Sequence, residues 1–378
     1  MRHPSLEYAL VFLLGAMGSF LLTPIARRIA LRWGAVAHPR DRDVHAVDTP
    51  RLGGLALLGG LAVSLLFADQ LPTLHRVFTN GNEVGGVLAA GTILCGLGVL
   101  DDKYELDSLT KLAGQITAAG VMVLFGGVQL LFISLPWSQS NHTWIVGPDI
   151  GVPLTILLTV LAINAVNFID GLDGLAAGVT GIAALAFFAF SYHLAQISSS
   201  YDVAAAPTLL AAALAGTCVG FLPHNFSPAR IFMGDSGSML VGLVLSAVAV
   251  GASSQSDPLN LGIYSSLPLA LCLLIPFSVM ALPLADLSLA VLRRLSHRRS
   301  PFAPDKEHLH HRLMRIGHSH REAVLVLYYW SALLAFGGVA ASFARGLWLV
   351  VSVVGSLVVF GLLISAMPRL RRAFRTSS

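Results

Sequence analysis

Residues 164–178 read NAVNFIDGLDGLAAG, an apolar run in which Asn164, Asn167, Asp170 and Asp173 fall at every third position. A helix that faces lipid has no use for such a row. Three residues turn an ideal α-helix through only about 300°, so the row would wind around the cylinder if the helix continued. Gly171 and Gly174 can end the helix and re-aim the later carboxylates. The stretch is therefore read as a polar site at a helix end. A hydrogen-bonded cluster that merely holds helices together is the competing reading, weakened because intramembrane acids are costly and usually functional.

Composition says what surrounds that site. Of 378 residues, 55% are hydrophobic and 12% charged, about half the charge of an average soluble protein. At about 20 apolar residues per membrane crossing, the chain divides into about eleven runs, roughly 6–26, 52–69, 85–100, 111–132, 152–169, 174–193, 205–222, 237–253, 266–290, 322–342 and 346–366. They are continuously apolar, whereas barrel strands of about ten residues alternate in polarity. The expected fold is an all-α integral membrane protein with about 11 transmembrane helices. Cys95, Cys218 and Cys272 all fall inside these runs, with neither metal-type nor disulfide-type spacing. Arg27 and Arg28 follow the first run directly and no small-residue cleavage site precedes them, so it is read as an uncleaved span.

Lys and Arg follow the first, third, seventh, ninth and last runs, leaving only Arg2, Arg76 and Arg345 on the other side. The positive-inside rule then puts the N-terminus outside and the C-terminus in the cytoplasm. The net charge of +4 is thereby a topology signal and no evidence for nucleic acid. The whole chain, 1–378, is read as one polytopic membrane domain. Its cytoplasmic loops cover about 27–51, 101–111, 167–174, 223–236 and 293–321, with a tail at 367–378. Every acidic cluster falls on that face, so the active site is expected there. Leu309, Leu313 and Ile316, with Gly317 as a stop, predict a short amphipathic helix over 305–316 on the inner surface.

Paired carboxylates beside a basic, His-rich loop suit chemistry between two phosphate-bearing substrates. Mg2+ binds hard oxygen ligands, usually one or two carboxylates together with substrate phosphates, and cations offset the repulsion between a phosphate nucleophile and a diphosphate. Asp101 and Asp102 are adjacent, so on a helix they point about 100° apart and can serve different partners. An equally open reading is a helix C-terminal cluster tied to Lys103 or Lys111, while Glu105 and Asp107 read as solvated loop charges. GDSG at 234–237 lies between two apolar runs, not in the β-rich context of a serine protease. Asp235 fits better as a metal ligand at a helix N-terminus, with Ser236 and Ser238 available as caps. The HLHH at 308–311 lacks the HExxH zinc arrangement, and phosphate recognition or transition-state support is the favoured reading.

Together, PRLGG (50–54), DDKYELDSLTKLAGQ (101–115), NAVNFIDGLDGLAAG (164–178), FMGDSGS (232–238) and SPFAPDKEHLHHRL (300–313) resemble one family. It is the polyprenyl-phosphate N-acetylhexosamine-1-phosphate transferases of glycosyltransferase 4 type, which include the MraY, WecA and TagO enzymes. The resemblance runs in order over nearly the whole chain. It implies eleven spans, a cytoplasmic active site, Mg2+ dependence (Mn2+ as a substitute) and transfer of a sugar 1-phosphate from a UDP-sugar to a lipid phosphate, releasing UMP. By match, Asp235 becomes a Mg2+ ligand. Asp101 and Asp102 become the pair that positions or deprotonates the lipid phosphate, with Asp102 also assigned to the metal, and His308 joins the catalytic set. Asn167, Asp170, Asp173, Asn225, Arg230, His310, His311, Arg312, Lys111, His45 and Arg51 are expected to contact substrate. Ala37 and Asp43 depart from the family pattern in the loop after the first run.

HLHH resembles the WecA and TagO branch, which favours UDP-N-acetylglucosamine over the muramoyl-pentapeptide donor of the peptidoglycan branch. The expected reaction joins N-acetylglucosamine 1-phosphate to undecaprenyl or decaprenyl phosphate in a bacterial inner membrane, initiating a cell-envelope polysaccharide. The expected partners are those two substrates and the membrane, with a homodimer left open. An ion-coupled transporter is the rival from another class, but it predicts acids at mid-membrane on broken helices. An intramembrane protease is disfavoured because neither HExxH nor a Ser–Lys or Ser–His pairing occurs within the runs.

Overall fold

The computed structural model describes residues 4–37, 48–134, 143–197, 205–255, 317–343, 352–362 and 364–365. Helix dominates throughout: α1 (Pro4–Trp33), α2 (Gly53–Ala68), α3 (His75–Asn80), α4 (Glu83–Tyr104), α5 (Ser108–Leu124), α6 (Pro148–Ile169), α7 (Leu175–Ile197), α8 (Ala206–Asn225), α9 (Gly234–Gln255), α10 (His320–Phe343) and α11 (Ser352–Leu362). Among the described residues, seven of these (α1, α4, α6, α7, α8, α9 and α10) are long and apolar enough to cross a membrane, while α2, α5 and α11 are apolar but shorter. The chain is thus an all-helical integral membrane protein. Each expected span carries a helix except 266–290, which lies outside the described residues, as does the expected amphipathic helix over 305–316.

The centre of the bundle is α9. Its apolar window is 94% buried, against 28% for the peripheral α1, and it packs on α4, α6, α8 and α2. Small residues let this happen: a Cβ on Gly98 of α4 would collide with the Ser236 backbone, so the helices cross almost backbone to backbone. Among the described residues most polar side chains inside the bundle pair locally or with each other, as Thr159 Oγ1 does with Ser246 Oγ at 2.9 Å, while the Ser19 and Thr208 hydroxyls are buried without a partner. An unpartnered hydroxyl in this medium would lose its hydrogen bonds to water without replacement.

One sequence expectation needs correction. The run 111–132 does not continue as helix; α5 stops at Leu124 because Gly126 and Gly127 follow, the latter at φ +72. The chain then forms an antiparallel pair, β1 (Phe132–Ser134) with β2 (Thr143–Ile145). Leu130 N–H donates to Thr155 Oγ1 at 2.9 Å and Leu131 N–H to Ser254 Oγ at 3.3 Å, strapping this segment to α6 and α9. The first run extends through Trp33, and Asp101, Asp102 and Lys111 sit on helices rather than between them.

Candidate active site

The C-terminal ends of α4, α6 and α8 and the N-terminal ends of α5, α9 and α10 converge at one end of the bundle, and the polar row lies there. Helix α6 ends at Ile169. The break expected at the glycines is made by Gly174, whose φ of +78 lies in the left-handed region that glycine adopts without strain. Gly171 has no such angle.

Asp102 is the pivot. Its Oδ1 accepts the Asp235 N–H at 2.9 Å and its Oδ2 the Ser236 N–H at 3.1 Å, so one carboxylate from α4 caps the N-terminus of α9. Such a cap satisfies two otherwise unpaired amides and places negative charge at the positive end of the helix dipole. Gly234, at φ +72, turns the chain into that cap, and a Cβ there would strike Asp102 and the Arg51 carbonyl. The caps expected from Ser236 and Ser238 are therefore not the ones used. Ser236 Oγ is buried without a partner, and Ser238 Oγ instead accepts from Asn167 Nδ2 at 2.9 Å.

Asp101 points elsewhere, as the 100° offset of neighbours on a helix requires. It accepts the Leu106 N–H at 2.8 Å and forms an ion pair with Lys111 on α5. The Lys111 ammonium also lies 2.9 Å from Asp235 Oδ2, and Asn167 Nδ2 donates to Asp235 Oδ1 at 3.1 Å. Lys111 and Asp235 each keep 30% of their side-chain surface accessible, whereas Asp101 keeps 4%. The front of the site is thus a cation and a carboxylate, with the two adjacent acids behind, each holding one of them. Asp107 is exposed but not free: it caps α5, accepting from Leu109 N and Thr110 N, and the Thr110 hydroxyl, which also donates to it, together with these amides holds its carboxyl below the usual range.

Asp170 sits beside this group. Packing around it pushes its carboxyl well above the usual range, and the charges of Asp102 and Asp235 add to that, partly offset by the Gly234 amide. Excess negative charge that raises a neighbouring acid is relieved by a bound cation. Among the described residues no three His, Cys, Asp or Glu side chains form a closed cage for a metal. Mg2+ does not need one, since it binds through one or two carboxylates and substrate phosphates. The donor set fits on that basis at Asp235 and Asp170, while Asp102 is committed to backbone amides.

Behind the loops lies a structural layer. Asn225 Oδ1 accepts the Gly174 N–H at 3.1 Å and its Nδ2 donates to the Ile231 carbonyl at 3.0 Å, and Asp173 accepts the Ala229 N–H at 3.1 Å. These two side chains tie the loop after α6 to the loop after α8. Arg27 and Arg321 donate to the carbonyls of Arg230 and Ser227 in the same loop, while the Arg230 side chain is exposed. Arg51 contributes its carbonyl behind Gly234. His45, His308, His310, His311 and Arg312 lie outside the described residues.

Sequence reasoning missed two contributors. Gln115 of α5, one turn below Lys111, accepts from Asn164 Nδ2 at 2.7 Å, which explains the first member of the polar row. Its signal was the four-residue step from Lys111. Tyr328 of α10 donates to the Gly174 carbonyl at 2.5 Å, over Gly178, where a Cβ would overlap its ring. Nothing in its apolar surroundings announces it.

Comparison with known proteins gives concordant results. The family model described as glycosyl transferase family 4 matches residues 84–253, the segment that carries Asp101, Asp102, Lys111, Asn167, Asp170 and Asp235. The chain is 44% identical over 370 residues to the decaprenyl-phosphate N-acetylglucosaminephosphotransferase of Mycobacterium tuberculosis, covering 98% of this chain and 91% of that protein. The enzyme of the same name from Mycolicibacterium smegmatis is also 44% identical, with 98% and 90% covered. The undecaprenyl-phosphate alpha-N-acetylglucosaminyl 1-phosphate transferase of Escherichia coli K12 is 28% identical, with 86% and 83% covered.

Proposed function

The chain belongs to glycosyl transferase family 4, and from that membership we propose that it transfers N-acetylglucosamine 1-phosphate from UDP-N-acetylglucosamine to a polyprenyl phosphate. The near full-length relatives named for decaprenyl phosphate, at 44% identity, favour that acceptor over undecaprenyl phosphate. The observation that carries the mechanism is the pairing of Lys111 with Asp235 at the accessible front of the site.

An oxygen of the lipid phosphate attacks the β-phosphorus of the donor, the bond from that phosphorus to the bridging oxygen breaks, and UMP leaves. Two anions must approach each other for this. The Lys111 ammonium, fixed by Asp101, is placed to receive one of them, and Asn167 fixes the Asp235 carboxylate. Mg2+, held by Asp235 with Asp170 beside it, would supply the neutralising charge for the diphosphate. Asp102 supports it indirectly by holding the Asp235 backbone, and Asp101, buried behind Lys111, orients the ammonium that receives the acceptor phosphate. By resemblance His308 joins the catalytic set, and His310, His311, Arg312 and His45 contact substrate.

The asymmetry of Lys and Arg supports an N-terminus outside, a C-terminus inside and the carboxylates at the cytoplasmic face, the apolar runs support eleven spans, and the family resemblance supports a bacterial inner membrane. Its product would begin a cell-envelope polysaccharide. The test gives purified protein polyprenyl phosphate, Mg2+ and a panel of UDP-sugars, and identifies both products. UMP with a diphosphate-linked N-acetylglucosamine lipid is expected. Mainly UDP would overturn the reaction class, and a preference for the muramoyl-pentapeptide donor would move the chain to the peptidoglycan branch.

A further inference from the structure

The carboxylate end of the bundle carries a second feature on the other side of α4. The last turns of α1 read ARRIALRW (26–33) and α4 ends VLDDKY (99–104). Ile29, Arg32, Trp33, Leu52, Leu55 and Val99 line an open apolar groove of about 420 Å³ between α1, α2 and α4. Ala30, Ala35 and Leu52 pack together as its buried floor.

Its rim is basic and aromatic. The Lys103 ammonium stands 4.2 Å from the centre of the Trp33 ring and 5.3 Å from that of Tyr104, and the two rings meet edge to face at 6.3 Å. Arg28 and Arg32, one turn apart, are exposed on α1. Among the described residues no carboxylate pairs with Arg28, Arg32 or Lys103. Trp and Tyr favour the membrane interface, and basic side chains there attract anionic head groups. An apolar channel below, and above it cations without a carboxylate partner among the described residues, are complementary to one kind of molecule, an amphiphile with an anionic head.

We propose that this groove holds a glycerophospholipid with an anionic head group, its acyl chain along Ile29, Leu55 and Val99 and its phosphate on Arg32 and Lys103. The polyprenyl acceptor is the rival occupant. In the proposed reaction its phosphate meets Lys111 and Asp235, whereas Lys103 faces Trp33, and the segment 51–54 packs against the approach to α9. That segment gives the site its stake in the lipid. Leu52 walls the groove, while its neighbours Gly53 and Gly54 donate to the Phe232 and Met233 carbonyls at 3.1 Å each, directly before the turn at Gly234. A filled groove buttresses the segment against which the N-terminus of α9 is seated. The lipid site rests on the groove and its rim, and only the choice against the polyprenyl acceptor rests on the proposed reaction.

Native mass spectrometry of the full chain, exchanged into micelles with equal dioleoyl phosphatidylglycerol and dioleoyl phosphatidylcholine, tests it. The wild type is expected to retain phosphatidylglycerol in preference. Arg32→Gln and Lys103→Gln, both solvent-accessible and checked for unchanged thermal unfolding, should each lower that retention by about fivefold. Leu55→Trp, which fills the groove, should lower retention of both lipids. Equal retention of the two lipids by the wild type, or unchanged retention in both charge variants, overturns the proposal. So does stoichiometric displacement of phosphatidylglycerol by polyprenyl phosphate, which would assign the groove to the acceptor.

Discussion

Replacing Asp102 by Asn removes a charge from a position where both carboxylate oxygens accept backbone amides, Asp235 N–H at 2.9 Å and Ser236 N–H at 3.1 Å. Asn retains one acceptor oxygen and turns an NH2 group toward the second amide, so one bond is lost outright and the other loses its charge assistance. Hydrogen bonds to charged groups contribute about 1.5–3 kcal/mol, and loss of a helix N-cap costs about 0.5–2 kcal/mol. A local destabilisation of about 1.5–3 kcal/mol is therefore expected at the start of α9, where opening should become about ten- to hundredfold more frequent. Hydrogen exchange of the peptide spanning Gly234 to Ser238 reads this directly. Because Asp235 is carried on that turn, UMP release should fall by about a hundredfold or more in the same variant. Unchanged exchange with lost turnover would refute the capping argument and leave Asp102 a direct chemical role. Faster exchange with normal turnover would refute the idea that the α9 terminus supports the reaction.

Three further outcomes are expected. Asp235→Asn should insert and fold normally yet lose about a hundredfold or more in turnover, and chelation of divalent cations should silence the wild type until Mg2+ is restored; full activity in excess chelator would remove the metal. Tyr328→Phe deletes the bond to the Gly174 carbonyl and should destabilise that turn by about 1 kcal/mol, raising KM for the UDP-sugar more than it lowers kcat; a pure kcat effect would contradict a positioning role. Single cysteines at positions 141 and 298 should be labelled from outside intact cells only at 141, and labelling at 298 would reverse the orientation.

The chain's own pattern determined its class and the address of its site. Long uninterrupted apolar runs require helices in a membrane, because each backbone amide must be satisfied within its own segment. The polar row 164–173 could be placed at a helix end from its spacing and glycines alone, and the ordered motifs named the family. Asp101 and Asp102 were legible as neighbours with different partners, since helix geometry fixes their angle. Which partners they took was not legible. Lys111 and Asp235 are separated by 124 positions and Asp102 and its cap by 133, and local periodicity carries no information across such distances. Sequence offered two nearby serines as caps for α9, yet the crossing of α4 and α9 at Gly98 brings a carboxylate to those amides first, and a charged acceptor makes the stronger bond. Likewise the run 111–132 looked like one span, because hydropathy does not register that Leu130 and Leu131 find side-chain hydroxyls on α6 and α9 that free them from helix. Residue types and periods were sufficient to say what each segment is. Only packing decided which distant groups meet, because those contacts arise from close backbone approach and not from any property of either segment alone.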